Sequence, residues 1–125
     1  MASKGYQDLL VWQRALVLSE STYRVTTRLP DHERYGLSSQ MRRAAVAIPA
    51  NIAEGQGRNT CRAFLNHLSI ARGSLHELET HVILASKLQY IANEEKQLLL
   101  TQTGEVGRLL NGLINALRQR ATAGN

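Results

Sequence analysis

A single cysteine, Cys61, cannot close an intrachain disulfide, so nothing in the chain calls for an oxidising compartment. Only two prolines, one phenylalanine and one tryptophan are present, against abundant leucine and alanine in helical patterns. That balance argues for an all-α protein with a smooth aliphatic core. Long hydrophobic runs are missing as well: the longest is Ala44 to Ile48, too short to cross a membrane. The polar start from Met1 to Gln7 carries no signal-peptide core, which makes the cytoplasm the expected location. At 125 residues and 13.9 kDa the chain has length for one domain, 1–125, with a real core and short frayed tails at both ends, Asn125 included.

Catalytic signatures are equally scarce. The segment His76-Glu77-Leu78-Glu79-Thr80-His81 has its histidines five residues apart, about 140° around a helix, so one metal cannot take both. No Glu-x-x-His pair occurs, which removes the usual di-iron bundle site. Lone surface histidines are the better account. Cys61 falls on an apolar helical seam and reads as a small buried residue rather than a nucleophile. No phosphate-binding glycine loop, nucleophile elbow or dinucleotide fingerprint appears. The expectation is a protein that is not an enzyme and uses no metal or other cofactor.

What the chain does have is arginine, and it is unevenly placed. Residues 1–33 and 73–125 each balance their acidic and basic side chains. The whole formal excess of +5 lies in 34–72, where Arg34, Arg42, Arg43, Arg58, Arg62 and Arg72 face only Glu54. Arginine's planar fork suits phosphate and carboxylate, so the excess points to an anionic partner, or to carboxylates on other helices or subunits. The only aromatic residues in this segment are Tyr35 and Phe64, and Phe64 belongs to a core seam. Phosphate contacts, rather than base stacking, are therefore expected to supply affinity for a nucleic acid.

Apolar spacing predicts four helices. The first spans Asp8 to Leu29, with Leu9, Trp12, Leu16, Ser19, Tyr23 and Thr26 on one stripe and Ala15, Leu18, Thr22, Val25 and Leu29 on the next. The second is stopped by Gly55-Gln56-Gly57, which tolerate left-handed backbone. The third, capped by Asn59 or Thr60, carries Cys61, Phe64, Leu68, Ala71, Leu75, Leu78, Val82 and Ala85 at alternating spacings of three and four, broadened by Leu84, Leu88 and Ile91. The fourth, from Glu94 to Arg120 behind an Asn93 cap, buries Leu99, Thr103, Val106, Leu110, Leu113 and Leu117. Gly104, Gly107 and Gly112 weaken it, either as drift on an exposed face or to admit another helix. Short connections make this an antiparallel up-down-up-down four-helix bundle.

The second helix holds the most informative stretch, Tyr35 to Gly55. Leu37, Met41, Ala44, Ile48 and Ile52 share one face, while Gln40, Arg43, Ala47, Asn51, Glu54 and Arg58 share a polar neighbour. Pro49 removes the amide that would bond the Ala45 carbonyl, so the helix is expected to kink there and that carbonyl needs another donor. The polar stripe is either solvated or meets another subunit through Arg43, Asn51 and Glu54.

The run Gln40 to Gly55, with Asp8 to Ala15, Leu29 to Leu37 and Ile70 to Thr80, resembles the bacterial four-helix-bundle family encoded in intervening sequences of 23S ribosomal RNA genes. The resemblance implies a ring-shaped homopentamer, with Gln40, Arg43, Asn51 and Glu54 in subunit contacts or lining a central opening. A distant relative by the same resemblance is the basic, pentameric accessory variability determinant protein of diversity-generating retroelements, which binds nucleic acid and its reverse transcriptase. Two function classes follow. One is a non-enzymatic binder of RNA or DNA, related to ribosomal RNA, working through Arg42, Arg58, Arg62 and Arg72. The other is a protein-interaction scaffold that recruits an enzyme such as a reverse transcriptase.

Overall fold

The computed structural model describes residues 5–122, which form four long helices and, among the described residues, no strand. The tails expected to fray, including Asn125, lie outside them. Helices α1 (Leu10–Thr26), α2 (Leu37–Gln56), α3 (Cys61–Lys87) and α4 (Asn93–Thr122) make a four-helix bundle. Each helix packs on two others: α1 on α2 and α4, and α3 on α2 and α4. One apolar core runs between them, from Leu18 and Met41 to Leu78 and Leu110, all four fully buried.

Helix α1 is shorter than its pattern suggests. A 3-10 turn, Gly5–Asp8, precedes it, and Tyr6 meets Trp12 edge-on with ring centroids 5.2 Å apart. At the other end the amides of Thr27, Arg28 and Leu29 bond three residues back, because Pro30 disfavours helical backbone at Leu29. The second predicted stripe, with Val11, is the core side; Ser19 and Thr26 of the first stripe are also buried. Leu16 and Tyr23 instead point to solvent.

Helix α2 is helical on both sides of Pro49, which is buried within it. The donor that the Ala45 carbonyl lacks comes from α1: Ser19 Oγ lies 3.0 Å from Ala45 O and equally 3.0 Å from Ala15 O. The expected left-handed glycine cap is absent, since Gly57 ends the helix at φ −77°. Gly55 serves packing: a β-carbon there would stand 2.7 Å from His67 Cβ and 3.0 Å from Phe64 Cδ1. Its bare backbone lets the start of α3 close onto α2.

Thr60 caps α3, its hydroxyl accepting the Ala63 amide at 3.1 Å. Leu68 to Ala85 are buried along the predicted seam, with Cys61 and Phe64 partly buried at its start. Leu84 and Leu88 do not broaden it; both are exposed, and two residues beyond Val82 is nearly the opposite side of a helix. The end of α3 is a Schellman-type turn, with Tyr90 N bonding Ala85 O and Gln89 left-handed at φ 63°. Asn93 is the first residue of α4 rather than its cap. Glu95 reaches back to the Ala92 amide at 2.7 Å, half of a capping box, which makes Ala92 the capping position. Further along, Ile114 is the deeply buried residue and Leu113 flanks it. A β-carbon at Gly107 would stand 3.4 Å from Leu75 Cδ2, whereas among the described residues no other group stands within 4 Å of a β-carbon at Gly112.

Candidate nucleic-acid interface

The N-terminal half of α2 lies against α1 with Met41, Ala44 and Ala45 turned inward, which sets Arg42 and Arg43 on its flank and outer side. Arg42 is fixed from below: its Nε donates to Thr26 Oγ1 at 2.8 Å, and its guanidinium carbon lies 4.8 Å from the centre of the Tyr23 ring. Thr26 in turn donates to the Tyr23 carbonyl at 2.8 Å, so the α1 partner of Arg42 is itself held. Just before α2, Arg34 lies 5.7 Å from the centre of the Tyr35 ring. That ring is 88% exposed. Together with Ser39, Val46 and Ala47, these side chains and Arg43 line a depression of about 580 Å³ between α1 and α2. An adjoining hollow shares Arg34 and Arg42 and includes Asp31.

Arg43 stands on a ridge. On its other side Gln40, Arg43, Ala44, Ala47, Ser74 and Glu77 line a groove of about 390 Å³ between α2 and α3. Further along that seam Asn51 donates through Nδ2 to the Ala47 carbonyl at 2.8 Å. This leaves Asn51 Oδ1 as acceptor, 3.3 Å from His67 Nδ1, so in this contact Nδ1 carries the proton. His67 Nε2 lies 3.9 Å from Glu54, whose carboxylate pairs with Arg58 at 2.8 Å. Asn51 and Glu54 thus find partners within the chain, and Arg58, not Arg43, is the cation beside Glu54.

The four arginines expected to bind nucleic acid do not form one patch. Arg42 bonds to α1, Arg58 is paired at the end of α2, Arg62 is exposed in the first turn of α3, and Arg72 reaches Asn111 of α4 at 3.2 Å. One depression instead gathers Arg42 with Arg34, Arg43 and two tyrosines. Tyr23 comes from outside the basic segment, and Tyr35 is fully presented to solvent, so aromatic rings do accompany the cations. Sequence reasoning missed Tyr23 and His67. No local signal marked Tyr23, since Ser19 and Thr26 of its own stripe are buried while Tyr23 itself is exposed.

The remaining titratable groups make no further site. His76 is exposed, but His81 is buried, correcting its reading as a surface residue: it lies between Leu78 and Ala85 on the same row of α3. Its Nε2 is 3.9 Å from Glu77, and Nδ1 has no hydrogen-bond partner among the described residues. Cys61 is half-buried, its thiol 3.6 Å from the Leu117 carbonyl. Among the described residues no three metal-ligating side chains gather, and no helix is long and apolar enough to cross a membrane. Beyond the depression, Glu33 accepts the Leu37 amide at 3.0 Å and the Tyr90 hydroxyl at 3.0 Å. Those two bonds, the amide's first, hold its carboxyl below the usual range, and the same contact pushes the Tyr90 phenol up.

Comparison with known proteins adds a family and a fold. The profile described as 23S rRNA-intervening sequence protein matches residues 7–112. Among solved structures, the chain is similar to a protein of unknown function from the S23 ribosomal protein family of Bacteroides thetaiotaomicron. That similarity has a TM-score of 0.78 at 24% identity, over 84% of this chain and 98% of the other. No curated protein matches the sequence.

Proposed function

As the chain belongs to the 23S rRNA-intervening sequence protein family, we propose that it is a non-enzymatic, ring-shaped homo-oligomer, a pentamer, that binds nucleic acid, RNA foremost. One observation carries the reading. Of Arg34, Arg42, Arg43, Arg58, Arg62 and Arg72, only Arg58 is ion-paired among the described residues. The local charge excess is therefore not consumed inside the bundle, and guanidinium groups without carboxylates are suited to phosphates, whose condensed counterions they release. A ring repeats each weak patch and multiplies its effect.

Assembly is supported by large apolar side chains left at the surface of α1, α3 and α4, among them Leu10, Val17, Ile70 and Leu98, each more than a third exposed. A contact between two different faces, repeated by rotation, closes into a ring. Gln40 and Arg43 are the exposed, unengaged members of the stripe assigned to subunit contacts, while Asn51 and Glu54 would bring their intrachain partners with them.

The test is a mobility-shift titration of the intact oligomer with unrelated RNA and DNA sequences at low salt, alongside light scattering at micromolar concentration. Binding should be insensitive to sequence and fall steeply with salt, and a double Arg58→Ala, Arg62→Ala variant should lose affinity uniformly while remaining assembled. A monomeric mass removes the ring. Absence of binding to any nucleic acid transfers the function to the scaffold reading, which Ile83, Leu84, Leu88 and Leu98 favour by flanking the α3–α4 connection with exposed apolar surface.

A further inference from the structure

The depression between α1 and α2 combines two features that phosphate binding alone does not need. One of its cations is pre-set: Arg42, which lines the depression, commits one of its five N–H donors to Thr26 and sets its guanidinium carbon 4.8 Å from the centre of the Tyr23 ring. Its aromatic rings are solvated. Tyr23 is 44% exposed and Tyr35 88% exposed, and neither is used by the core. An exposed tyrosine beside arginines presents a π-face to solvent, and a nucleobase is the part of a nucleic acid that gains from that face.

We infer that the depression lined by Tyr23, Arg34, Tyr35, Arg42, Arg43 and Val46 is a binding site for unpaired nucleotides, so that the protein prefers single-stranded to double-stranded nucleic acid. The inference rests on the nucleic-acid reading above and names the form of the ligand. The exposed Tyr35 ring takes a splayed base, and Arg34 and Arg42 take the flanking phosphates. Arginine planes add a second stacking surface. In a duplex each base face is covered by its neighbours, so the rings have nothing to stack on and only the phosphate contribution survives. A volume of about 580 Å³ falls within the range of sites that hold a small organic group of nucleotide size.

The experiment compares a short oligouridylate with an RNA duplex carrying the same number of phosphates, by fluorescence anisotropy at one fixed salt concentration. Wild-type protein should bind the single strand more tightly. Tyr35→Ala should weaken single-strand binding about tenfold and leave duplex binding unchanged, because one base-stacking contact is lost. Tyr35→Phe keeps the ring and should bind as wild type does, whereas Arg42→Gln should weaken both ligands and flatten the salt dependence. The high exposure of Tyr35 makes its replacement safe for folding, and sedimentation velocity checks that assembly is unchanged. Equal affinity for both ligands, or a Tyr35→Ala variant that binds the single strand as wild type does, overturns the pocket and leaves nucleic-acid binding to the other arginines. A Tyr35→Ala variant with altered assembly mass overturns it in favour of a subunit contact. If the wild type binds neither ligand, the parent reading fails and this inference fails with it.

Discussion

The Ser19 hydroxyl stands 3.0 Å from the Ala45 carbonyl oxygen, the acceptor that Pro49 leaves without its helical donor. The contact joins α1 to α2 at a buried level of the bundle, where an orphaned carbonyl would carry its full desolvation cost. Ser19 has only one proton, shared with Ala15 O at the same distance, so its intrahelical bond yields part of its strength to the interhelical one.

This relationship makes a double-mutant prediction. Ser19→Ala alone should destabilise the fold by about 1–3 kcal/mol, since the Ala45 carbonyl stays buried without a donor. In a Pro49→Ala background residue 49 regains an amide that can serve Ala45, so the same Ser19→Ala change should cost less. Urea unfolding of the four proteins measures the coupling. Additive effects would show that Ser19 does not answer the proline.

Two glycines should respond in opposite directions to alanine. At Gly55 the new methyl group meets Phe64 and His67 at the α2–α3 contact, and overpacking there should cost about 1–3 kcal/mol. At Gly112 the methyl group meets nothing among the described residues, and the gain in helix propensity should stabilise the protein by about 0.5–1 kcal/mol. Thermal unfolding distinguishes the two. A loss at Gly112 would mean that a neighbouring subunit uses the missing side chain.

The seam of α3 was legible in the sequence because Leu68, Ala71, Leu75, Leu78, Val82 and Ala85 repeat at one helical period without interruption, and periodicity is a local property. The unmet need of the Ala45 carbonyl was legible for the same reason. Its answer was not: Ser19 lies 26 residues away on another helix, and nothing in a helical stripe says which residue of a neighbouring helix will face it. The same gap hid the site. The arginine excess located charge along the chain, but only packing brings Tyr23 of α1 under Arg42 and His67 of α3 between Asn51 and Glu54. Leu84 and Leu88 misled because apolar side chains reserved for a surface look the same as core residues when read singly.

Glu54 offers a check on the assembly. Within the chain it pairs with Arg58 at 2.8 Å, and both side chains are about half exposed. A solvated pair of that kind contributes at most about 1 kcal/mol, so Glu54→Ala should change the unfolding free energy by no more than this. A loss above about 3 kcal/mol, or dissociation of the oligomer in light scattering, would place Glu54 in a desolvated subunit contact.

Glu33 sets the acid limit of one corner of the bundle. Its carboxylate caps α2 through the Leu37 amide and anchors Tyr90, at the end of α3, through the phenol. Both donors favour the ionised form, so its folded pKa lies below its unfolded one. For a depressed carboxyl the unfolded chain takes up its proton first as pH falls. The stabilisation is therefore complete above the ordinary glutamate range and drains away as pH drops through the folded value. Tyr90→Phe should leave the Leu37 bond in place and narrow that window, and Glu33→Gln should abolish the contribution. Guanidinium unfolding measured at several pH values between neutrality and pH 3 should then give a shallower decline for Glu33→Gln than for the wild type, with Tyr90→Phe between them. Parallel curves for all three proteins would show that Glu33 keeps its ordinary pKa, and that the capping bond is no stronger to the carboxylate than to the acid.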